Sequence, residues 1–348
     1  MLLAKFEAHF LKKRFWFFEM NVLRWKKGGF DMIQKSFMPN IRIASWRKLN
    51  ARLKNESVRL RVEKDLAQME AGDFGERVVA KHLDRYRHAE NIHIFHDVML
   101  DCDGFFQMDF LVLTESCIIL LEVKNISGTI YFTKNPQQLI RKIDGQGEQK
   151  LRSPEVQVEK QIYKLREWCM RRGHEIPIYG AVVFPTLTSI VDGSNTTATL
   201  LDLYEIENYI LKNMQQHSPH LAMDSLILKL KNGQKLYEPY DLSAYYKFEF
   251  ADLHTGFLCP YCYNFMKKLN TRTWQCPACQ QFSRQNVLAD LKEYFLYFPK
   301  PAHKKILKVW LSDLSSSRFK RSWQKLDLQV QYHHRKAFYS LKNESTHP

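Results

Sequence analysis

A hairpin pattern at residues 107–125, QMDFLVLTESCIILLEVKN, constrains the fold of this chain more than any other stretch. Two apolar runs flank the polar pair at 115–116, which predicts two buried strands joined by a tight turn. Charged residues stand at the open end of this hairpin. Asp109 enters the first strand, and Glu122 and Lys124 leave the second. The pattern therefore predicts a buried hairpin whose open end carries three charges.

The register of this hairpin decides how those charges meet. With a two-residue turn, Thr114 pairs with Cys117, and continuing the pairing sets Asp109 opposite Glu122 at about 5 Å. Lys124 shares that face by alternation. Two carboxylates this close repel unless a proton or a cation lies between them, so the pair suits Mg²⁺ or Mn²⁺. A plain salt bridge between Lys124 and a carboxylate at the rim of a sheet explains the same residues.

The helix predicted before the hairpin adds a third carboxylate. In GDFGERVVAKHL, Glu76 shares a helix face with the apolar Val79, Ala80 and Leu83. This periodicity aims Glu76 at the core. Asp73 and Glu76 also fit a capping box, in which they only close the start of a helix. Both interpretations can hold together.

These residues together resemble the NERD, or nuclease-related, domain, a relative of the PD-(D/E)xK nucleases. The resemblance covers about residues 70–190. It is carried by the Gly-Asp-Phe-Gly-Glu run at 72–76, by Asp109, and by Glu-Val-Lys-Asn at 122–125 with Gly128 after it. It implies an α/β fold with a restriction-endonuclease-like core, in which helices flank a mixed central sheet.

The resemblance also implies a role for each charged residue. Asp109 and Glu122 would bind Mg²⁺ or Mn²⁺. Lys124 would orient the attacking water, and Glu76 would support the metal from its helix. The implied reaction is hydrolysis of a phosphodiester, in which the cation lowers the pKa of a bound water and neutralises the phosphate.

A glutamine is the fifth expected member of the site. The family's Asn-Pro-x-x-Gln element reads Ser-Pro-Glu-Val-Gln at 153–157, so its asparagine is missing here. Gln157 is favoured as the active-site glutamine, and Gln161 is its rival. The histidines His93 and His96 fall on opposite faces of a strand and are interpreted as structural or incidental.

Four of the seven cysteines form two Cys-x-x-Cys pairs, CPYC and CPAC, separated by thirteen residues. Each pair can donate two thiolates to one tetrahedral ion, which predicts a structural Zn²⁺ held by Cys259, Cys262, Cys276 and Cys279. Redox pairs and disulfides are the alternatives, and a reducing compartment disfavours disulfides. The unit resembles the zinc ribbons appended to type I topoisomerases.

The net charge of +15 is concentrated at the two ends of the chain. Residues 1–64 hold 16 Lys/Arg against 5 Asp/Glu, residues 281–348 hold 13 against 5, and the remainder holds 23 against 27. Basic ends suggest contact with a polyanion such as nucleic acid, although solvated helix faces explain such charge equally well. The candidate nucleic-acid contacts are Lys267, Lys268, Arg272, Trp274, Arg318, Lys320 and Arg321.

For two of these regions, an interpretation other than nucleic-acid contact fits the sequence. Aromatic residues around the cysteines, Trp274 among them, fit either a base-stacking surface or the only core of so small a unit. The tail predicts three short helices and a β-like segment, which resembles a winged helix-turn-helix with SSSRFKRSW opening its recognition helix. A plain helical interaction bundle fits the same pattern.

Other periodic segments complete the outline. A long exposed helix is predicted over 43–70, ended by Gly72, and a second helix runs from a cap at Asp73 to about Tyr86. Strands are predicted at 92–100, 128–133 and 176–185, and a helix at 153–172. The predicted domains are a basic helical segment (1–70), a nuclease core (71–215), a connection (216–250), a zinc ribbon (254–283) and a basic helical, winged-helix-like tail (284–348).

The leading interpretation is a Mg²⁺-dependent nuclease that acts on DNA. Its alternative is a nucleic-acid-binding protein whose nuclease-like fold has lost activity. No run of about 18 uncharged apolar residues and no secretory signal is found, so a cytoplasmic location is expected. Bulky apolar and basic residues alternate over 1–25, which also fits a third class, a scaffold on a membrane surface.

Overall fold

The computed structural model describes most of the chain after its first 32 residues. Among the helices described, none is both long enough and apolar enough to cross a bilayer. The helical segment predicted at 1–25 lies outside the described residues. These residues are 33–35, 41–86, 92–218, 223–235, 241–270, 272–284, 286–311, 315–325, 328–333 and 336–341.

Strands and helices alternate along the described chain. The strands are β1 (Ile33–Lys35), β2 (Ile92–Asp101), β3 (Phe105–Thr114), β4 (Ile118–Val123), β5 (Gly128–Lys134), β6 (Gln137–Ile143), β7 (Gly147–Arg152), β8 (Ile178–Phe184), β9 (Ser189–Asp192), β10 (Thr199–Asp202), β11 (Lys267–Lys268), β12 (Trp274–Gln275), β13 (Phe282–Ser283), β14 (Ala302–His303), β15 (Leu328–His333) and β16 (Lys336–Leu341). The α-helices are α1 (Ile41–Arg52), α2 (Glu56–Leu83), α3 (Pro154–Met170), α4 (Glu205–Met214), α5 (Met223–Gly233), α6 (Leu242–Tyr246), α7 (Val287–Tyr297), α8 (Lys304–Trp310) and α9 (Ser316–Trp323).

A mixed sheet with the order β1-β2-β3-β4-β8-β10 forms the centre of the fold. Its middle strands β2, β3 and β4 form an antiparallel meander, and β8 and β10 extend it in parallel from β4. All six residues of β4 are buried, as expected for a strand covered on both faces. The predicted α/β fold class, with helices flanking a mixed central sheet, is confirmed.

Helices cover the two faces of this sheet. On one face, Leu165 and Trp168 of α3 pack in the same cluster as Leu120 of β4. On the other face, Val79 and Leu83 of α2 pack with the alternate strand residues. The apolar face of α3 follows from its helical spacing, so the sequence predicts this helix correctly.

A second sheet, with the order β7-β6-β5-β9, is formed by the three strands between β4 and α3 and by β9, which follows β8. Ile130, Phe132 and Leu139 join the core beneath α3, so this second sheet is packed against the central sheet. Of its four strands, only β5 is predicted from sequence. Strand β7 has no buried residue, and without apolar alternation it carries no strand signal.

The N-terminal helices differ from the sequence prediction. Helix α2 begins after Asn55, whose side chain accepts the N–H of Ser57 at 2.9 Å, and continues unbroken through Gly72. Asp73 is buried and pairs with Arg77 one turn later. The predicted helix end at Gly72 and the cap at Asp73 are therefore wrong. A helical glycine costs only about 1 kcal/mol, which the packing of both helix halves outweighs.

The two halves of α2 lie in different cores. Val58 and Val62 pack with α1, the cysteine unit and the tail helices in one continuous cluster. Val79 and Leu83 pack under the central sheet. At 28 residues, α2 is about 42 Å long. One rigid helix therefore joins the C-terminal part of the molecule to the central sheet.

A buried arginine fastens α1 to the C-terminal part. Arg52 is fully buried, and its Nε donates to Oε1 of Glu293 at 2.8 Å. One of its terminal nitrogens donates to the carbonyl oxygens of His254 and Gly256. Its guanidinium carbon lies 4.2 Å from the ring centroid of Trp310. Helix α1 and the C-terminal part of the molecule thus share one core, with an ion pair inside it.

Candidate active site and cysteine cluster

The hairpin at the centre of the site has the predicted register. Strands β3 and β4 pair antiparallel, with Leu113 opposite Ile118. Across the turn, the N–H of Thr114 donates to the carbonyl of Cys117 at 3.0 Å. This register holds from the turn as far as the pair of Phe110 and Leu121.

The ladder stops just before Asp109 would pair with Glu122. The carboxylate of Asp109 instead accepts the N–H of Val123 at 2.8 Å. Side-chain alternation also shifts by one residue here, because Met108 and Leu111 lie in the same core cluster. The carboxylate of Asp109 therefore takes the place of a backbone carbonyl as the acceptor for the Val123 N–H, and this bond holds it at the end of β4.

Glu122 is only 2 % exposed, and side chains hold both of its oxygens. Nζ of Lys124 donates to Oε1 at 2.6 Å, and Nε2 of Gln161 donates to Oε2 at 2.9 Å. Lys124 also donates to Oε1 of Gln157 at 3.0 Å. The salt bridge that the sequence allows as an alternative is thus present. Both glutamines contact the site: Gln157 is hydrogen-bonded to Lys124, and Gln161 is hydrogen-bonded to Glu122.

Glu76 approaches from α2 and meets a histidine. Its Oε2 lies 2.7 Å from Nε2 of His96, which is buried beside the ring of Phe110. From sequence alone His96 is interpreted as structural or incidental, and the structure adds its contact with a candidate site acid. No local pattern signals the contact, because the helix and the strand meet only in the folded protein.

A close contact between α2 and the end of β4 explains the glycine beside Glu76. A Cβ atom on Gly75 would lie 2.6 Å from Cβ of Asn125, which is closer than two carbons can pack. Asn125 in turn donates to the carbonyl of Ala71 at 2.8 Å. The glycine therefore lets the helix approach the strand, and Glu76 reaches the site.

Negative charge is concentrated around Asp109. Burial, and then the charges of Glu122 and Glu76, raise the pKa of Asp109 well above its ordinary value. The Val123 N–H and the Lys124 ammonium oppose this rise and are outweighed. A carboxyl group in this position is stabilised by a proton or by a nearby cation.

The donor set fits a hard divalent cation, because it consists of carboxylate oxygens at the end of a buried strand. These acids are nevertheless engaged by protein donors. Among the described residues, the four cysteines discussed next form the only group of three or more His, Cys, Asp or Glu with ligand atoms within 4.8 Å of one another. A cation bound by Glu122 would share it with Lys124 and Gln161 or displace them.

The four cysteines of the two Cys-x-x-Cys pairs lie together. Their sulfur atoms all lie within 4.8 Å of one another, with Cys259 to Cys279 at 3.5 Å and Cys262 to Cys276 at 3.4 Å. Zinc–sulfur bonds of about 2.3 Å in a tetrahedron would set the sulfurs about 3.8 Å apart. All four are free thiols, so the disulfide alternative does not apply. The cluster can hold a metal such as zinc.

The backbone repeats the same turn at both cysteine pairs. Tyr263 and Gln280, the residues after each pair, both have a φ of 58°. Their N–H groups donate to the carbonyls of Cys259 and Cys276, both at 3.0 Å. Left-handed conformations are uncommon outside glycine. Two matching turns of this kind bring the four thiols together.

The tryptophan predicted to stack on bases is a core residue of this unit. Trp274 is 4 % exposed, and its ring centroid lies 4.6 Å from that of Phe257 in an edge-on contact. The core alternative therefore applies to Trp274, whose buried ring offers no face to a base. The basic candidates around it, Lys267, Lys268 and Arg272, are exposed.

Comparison with known proteins identifies the central part of the chain. The family model of NERD, the nuclease-related domain, matches residues 71–185. This span contains all the residues of the carboxylate site and the chain from β2 to β8, and the match implies a nuclease-like fold for that part. No curated protein and no solved structure matches the chain.

Proposed function

We propose that this protein is a metal-dependent nuclease that hydrolyses phosphodiester bonds in DNA. The observation that carries the proposal is the meeting of Asp109, Glu122 and Lys124 at the open end of one buried hairpin, inside the span that matches a nuclease-related domain. Glu76 reaches the same place from α2.

Asp109 and Glu122 would hold the cation, and Glu76 would support it. When bound, Mg²⁺ or Mn²⁺ supplies charge neutralisation of the phosphate and a water of lowered pKa. Lys124 lies next to Glu122, so its ammonium can orient the attacking water and stabilise negative charge that develops on the phosphate. A buried carboxylate pair without this cation would repel the phosphate.

The two glutamines would divide the work of positioning. Gln157 accepts a hydrogen bond from Lys124 and therefore fixes the direction of its ammonium. Gln161 donates to the buried Glu122 and keeps one carboxylate oxygen from being left without a partner. Both functions act through another residue, and both glutamines lie on one face of α3.

The cysteine cluster would hold a structural Zn²⁺, because four thiolates complete a tetrahedral ion and leave no open position. The exposed Lys267, Lys268 and Arg272 would contact the nucleic-acid backbone. Free thiols of this kind persist in a reducing compartment, which supports a cytoplasmic location.

Hydrolysis assays on variants test the carboxylate site. Purified protein with Mg²⁺ should cleave DNA, and Asp109→Ala or Lys124→Ala should each lower the rate about a hundredfold or more. Single- and double-stranded DNA and RNA are compared as substrates. Glu115→Ala removes an exposed carboxylate from the hairpin turn, and Lys134→Ala removes an exposed lysine, so both controls should cleave normally. Cleavage that persists in both site variants would refute the assignment.

A second candidate, a nucleic-acid-binding protein without activity, is favoured by one specific observation. Lys124 pairs with Glu122, His96 contacts Glu76 and Asp109 accepts the Val123 N–H, so all three acids already have partners. Under this alternative, the protein binds DNA but cleaves neither DNA nor RNA with Mg²⁺ or Mn²⁺.

A further inference from the structure

We infer that the C-terminal helices α8 and α9 form a docking surface for double-stranded DNA, with one side of α9 reading base edges in the major groove. Double-stranded DNA would then be the form of nucleic acid that the proposed nuclease binds. The role given to this surface therefore rests on the proposed function. Its evidence lies in a different part of the molecule from the carboxylate site.

The tail has the order of elements that presents a helix to duplex DNA. It runs α7, β14, α8, α9, β15 and β16, and its three strands form a sheet with the order β14-β16-β15. The two helices α8 and α9 are consecutive, and the hairpin of β15 and β16 follows at once. A helix-turn-helix followed by a β-hairpin wing is an arrangement that places its second helix in the major groove.

One side of α9 is fixed in the core. Phe319 is 1 % exposed, and its ring stacks on Trp323 with centroids 5.3 Å apart. Trp323 in turn contacts the ring of Tyr339 in the wing, with centroids 4.6 Å apart. Because residues four apart share a helix face, this pair anchors α9 and determines which side faces outward.

The opposite side of α9 is a polar stripe. Ser317, Lys320, Arg321 and Gln324 are all exposed, and their spacing of three, four and seven puts them on one face. Arginine and lysine pair with guanine, glutamine pairs with adenine, and serine pairs with either. The stripe therefore consists entirely of residue types that read base edges. Arg318 lies half-buried beside it, where it fits a flanking contact better than a central one.

Helix α8 supplies a second row of positive charge. The ammonium groups of Lys304 and Lys308 lie 5.8 and 5.9 Å from the ring centroid of Phe319, so both stand next to α9. Neither α8 nor α9 contains an acidic residue. In α7, Asp290 and Glu293 are turned toward the buried Arg52, whose charge acts on both. The surface is therefore suited to phosphates on either side of a groove.

The surface fits a duplex better than a single strand. An α-helix with its side chains is about 10–12 Å across, which matches the major groove, about 12 Å wide, and the eight residues of α9 form about two turns along it. Single-strand sites need successive exposed aromatic rings on which bases stack. Here Phe319 is buried and Trp323 is half-buried. In the wing, Tyr332 is 76 % exposed and would contact the flanking backbone.

Binding of labelled DNA to the full-length protein tests the inference, in buffer without added divalent cations so that cleavage does not compete. Wild type should bind a duplex more tightly than either separated strand. Lys320→Ala/Arg321→Ala should weaken duplex binding about tenfold or more, and Lys320→Arg should largely retain it. The salt dependence of binding is the slope of the logarithm of the binding constant against the logarithm of the salt concentration. Lys304→Ala/Lys308→Ala should reduce this slope by about one unit per lysine. Circular dichroism and zinc content confirm that each variant is folded.

The control variant Lys292→Ala/Lys300→Ala removes two exposed lysines of the same tail outside this surface and should bind nearly as wild type. An equal loss in this control would overturn the inference. So would tighter binding to single strands, to RNA, or to vesicles of anionic phospholipid. Asp109→Ala separates the two proposals, because it should bind the duplex normally without cleaving it. Duplex binding with no hydrolysis under any condition would refute the proposed function alone, and hydrolysis that never depends on the α9 stripe would refute this inference alone.

Discussion

The two candidate metal sites of this molecule are built in opposite ways. In the cysteine cluster, four thiols lie within 4.8 Å of one another, in turns next to strands of only two residues each. In the carboxylate site, Asp109 lies in the middle of a strand of ten residues, and Glu122 lies near the end of a strand of six. There, Lys124 forms a salt bridge with the buried Glu122, and Gln161 donates a hydrogen bond to its other oxygen.

This difference concerns what holds each site in place. The ribbon has little core of its own, so a metal bound by its thiols would supply much of its folding energy, as in small metal-binding domains. The carboxylate site is held by the central sheet and by α2 and α3, and its charges oppose the fold. We therefore expect loss of a ligand to destabilise the first site and to stabilise the second.

The largest effect is expected at the ribbon. Cys276→Ser should reduce bound zinc from about one ion per chain to almost none, because three thiolates no longer complete the tetrahedron. Metal sites of this type contribute about 10 kcal/mol or more. Since the ribbon shares its core with α1 and the tail, α1 and the tail should also unfold at lower temperature in this variant. Elemental analysis and thermal unfolding measure these changes.

Cys169→Ala serves as the matched control, because Cys169 is a buried free thiol of α3 outside the cluster. It should keep its zinc. If Cys276→Ser also kept its zinc and its unfolding temperature, the ribbon would not depend on a metal, and the contrast between the two sites would disappear.

At the carboxylate site, Asp109→Asn should lower the rate of DNA hydrolysis about a hundredfold or more and yet raise the stability of the metal-free protein. Burial raises the pKa of Asp109 in the folded state. For an acid of raised pKa, stability is lost as pH rises from the unfolded value of about 3.9 through the folded value. The amide carries no charge and avoids this loss. Urea unfolding at neutral pH measures it, and a less stable variant would contradict the argument.

A smaller gain in the free energy of unfolding is expected from a substitution in the core that α1 shares with the C-terminal part. Burial, and then Glu293, raise the pKa of Asp290 to about 7, against the opposing charges of Lys48 and Arg52. Wild-type stability should therefore fall as pH rises from about 4 to about 7. Asp290→Asn should remove that slope and gain about 4 kcal/mol above pH 7, because each of the roughly three pKa units is worth about 1.4 kcal/mol. Identical pH profiles for the two proteins would show that Asp290 is ionised throughout.

The parts of the sites that depend on local spacing can be predicted from sequence. The register of β3 and β4 follows from strict alternation around a short polar turn, so it predicts that Asp109 and Glu122 come to the same end of the hairpin. The cysteine cluster follows from two short repeats of one motif. In both cases the residues that decide the geometry are close together in the chain.

Contacts between distant elements are not predictable in this way. The proximity of His96 to Glu76 depends on where α2 crosses β2, and no sequence spacing encodes it. The hydrogen bond of Asp109 to the Val123 N–H depends on the point where alternation in β3 shifts. The continuity of α2 past Gly72 also depends on packing, because burial of both helix halves overrides the local preference for a break.

The amino-acid sequence by itself determined the hairpin register, the four thiol ligands and the charged residues of the carboxylate site, because alternation and short motifs act through neighbours in the chain. Tertiary structure alone decided that α1 and the C-terminal part share one core around Arg52 and that α2 spans both cores. It also decided that Trp274 is buried while Ser317 and Gln324 face outward. These outcomes depend on which apolar surfaces exclude water together, and that is a property of the whole fold.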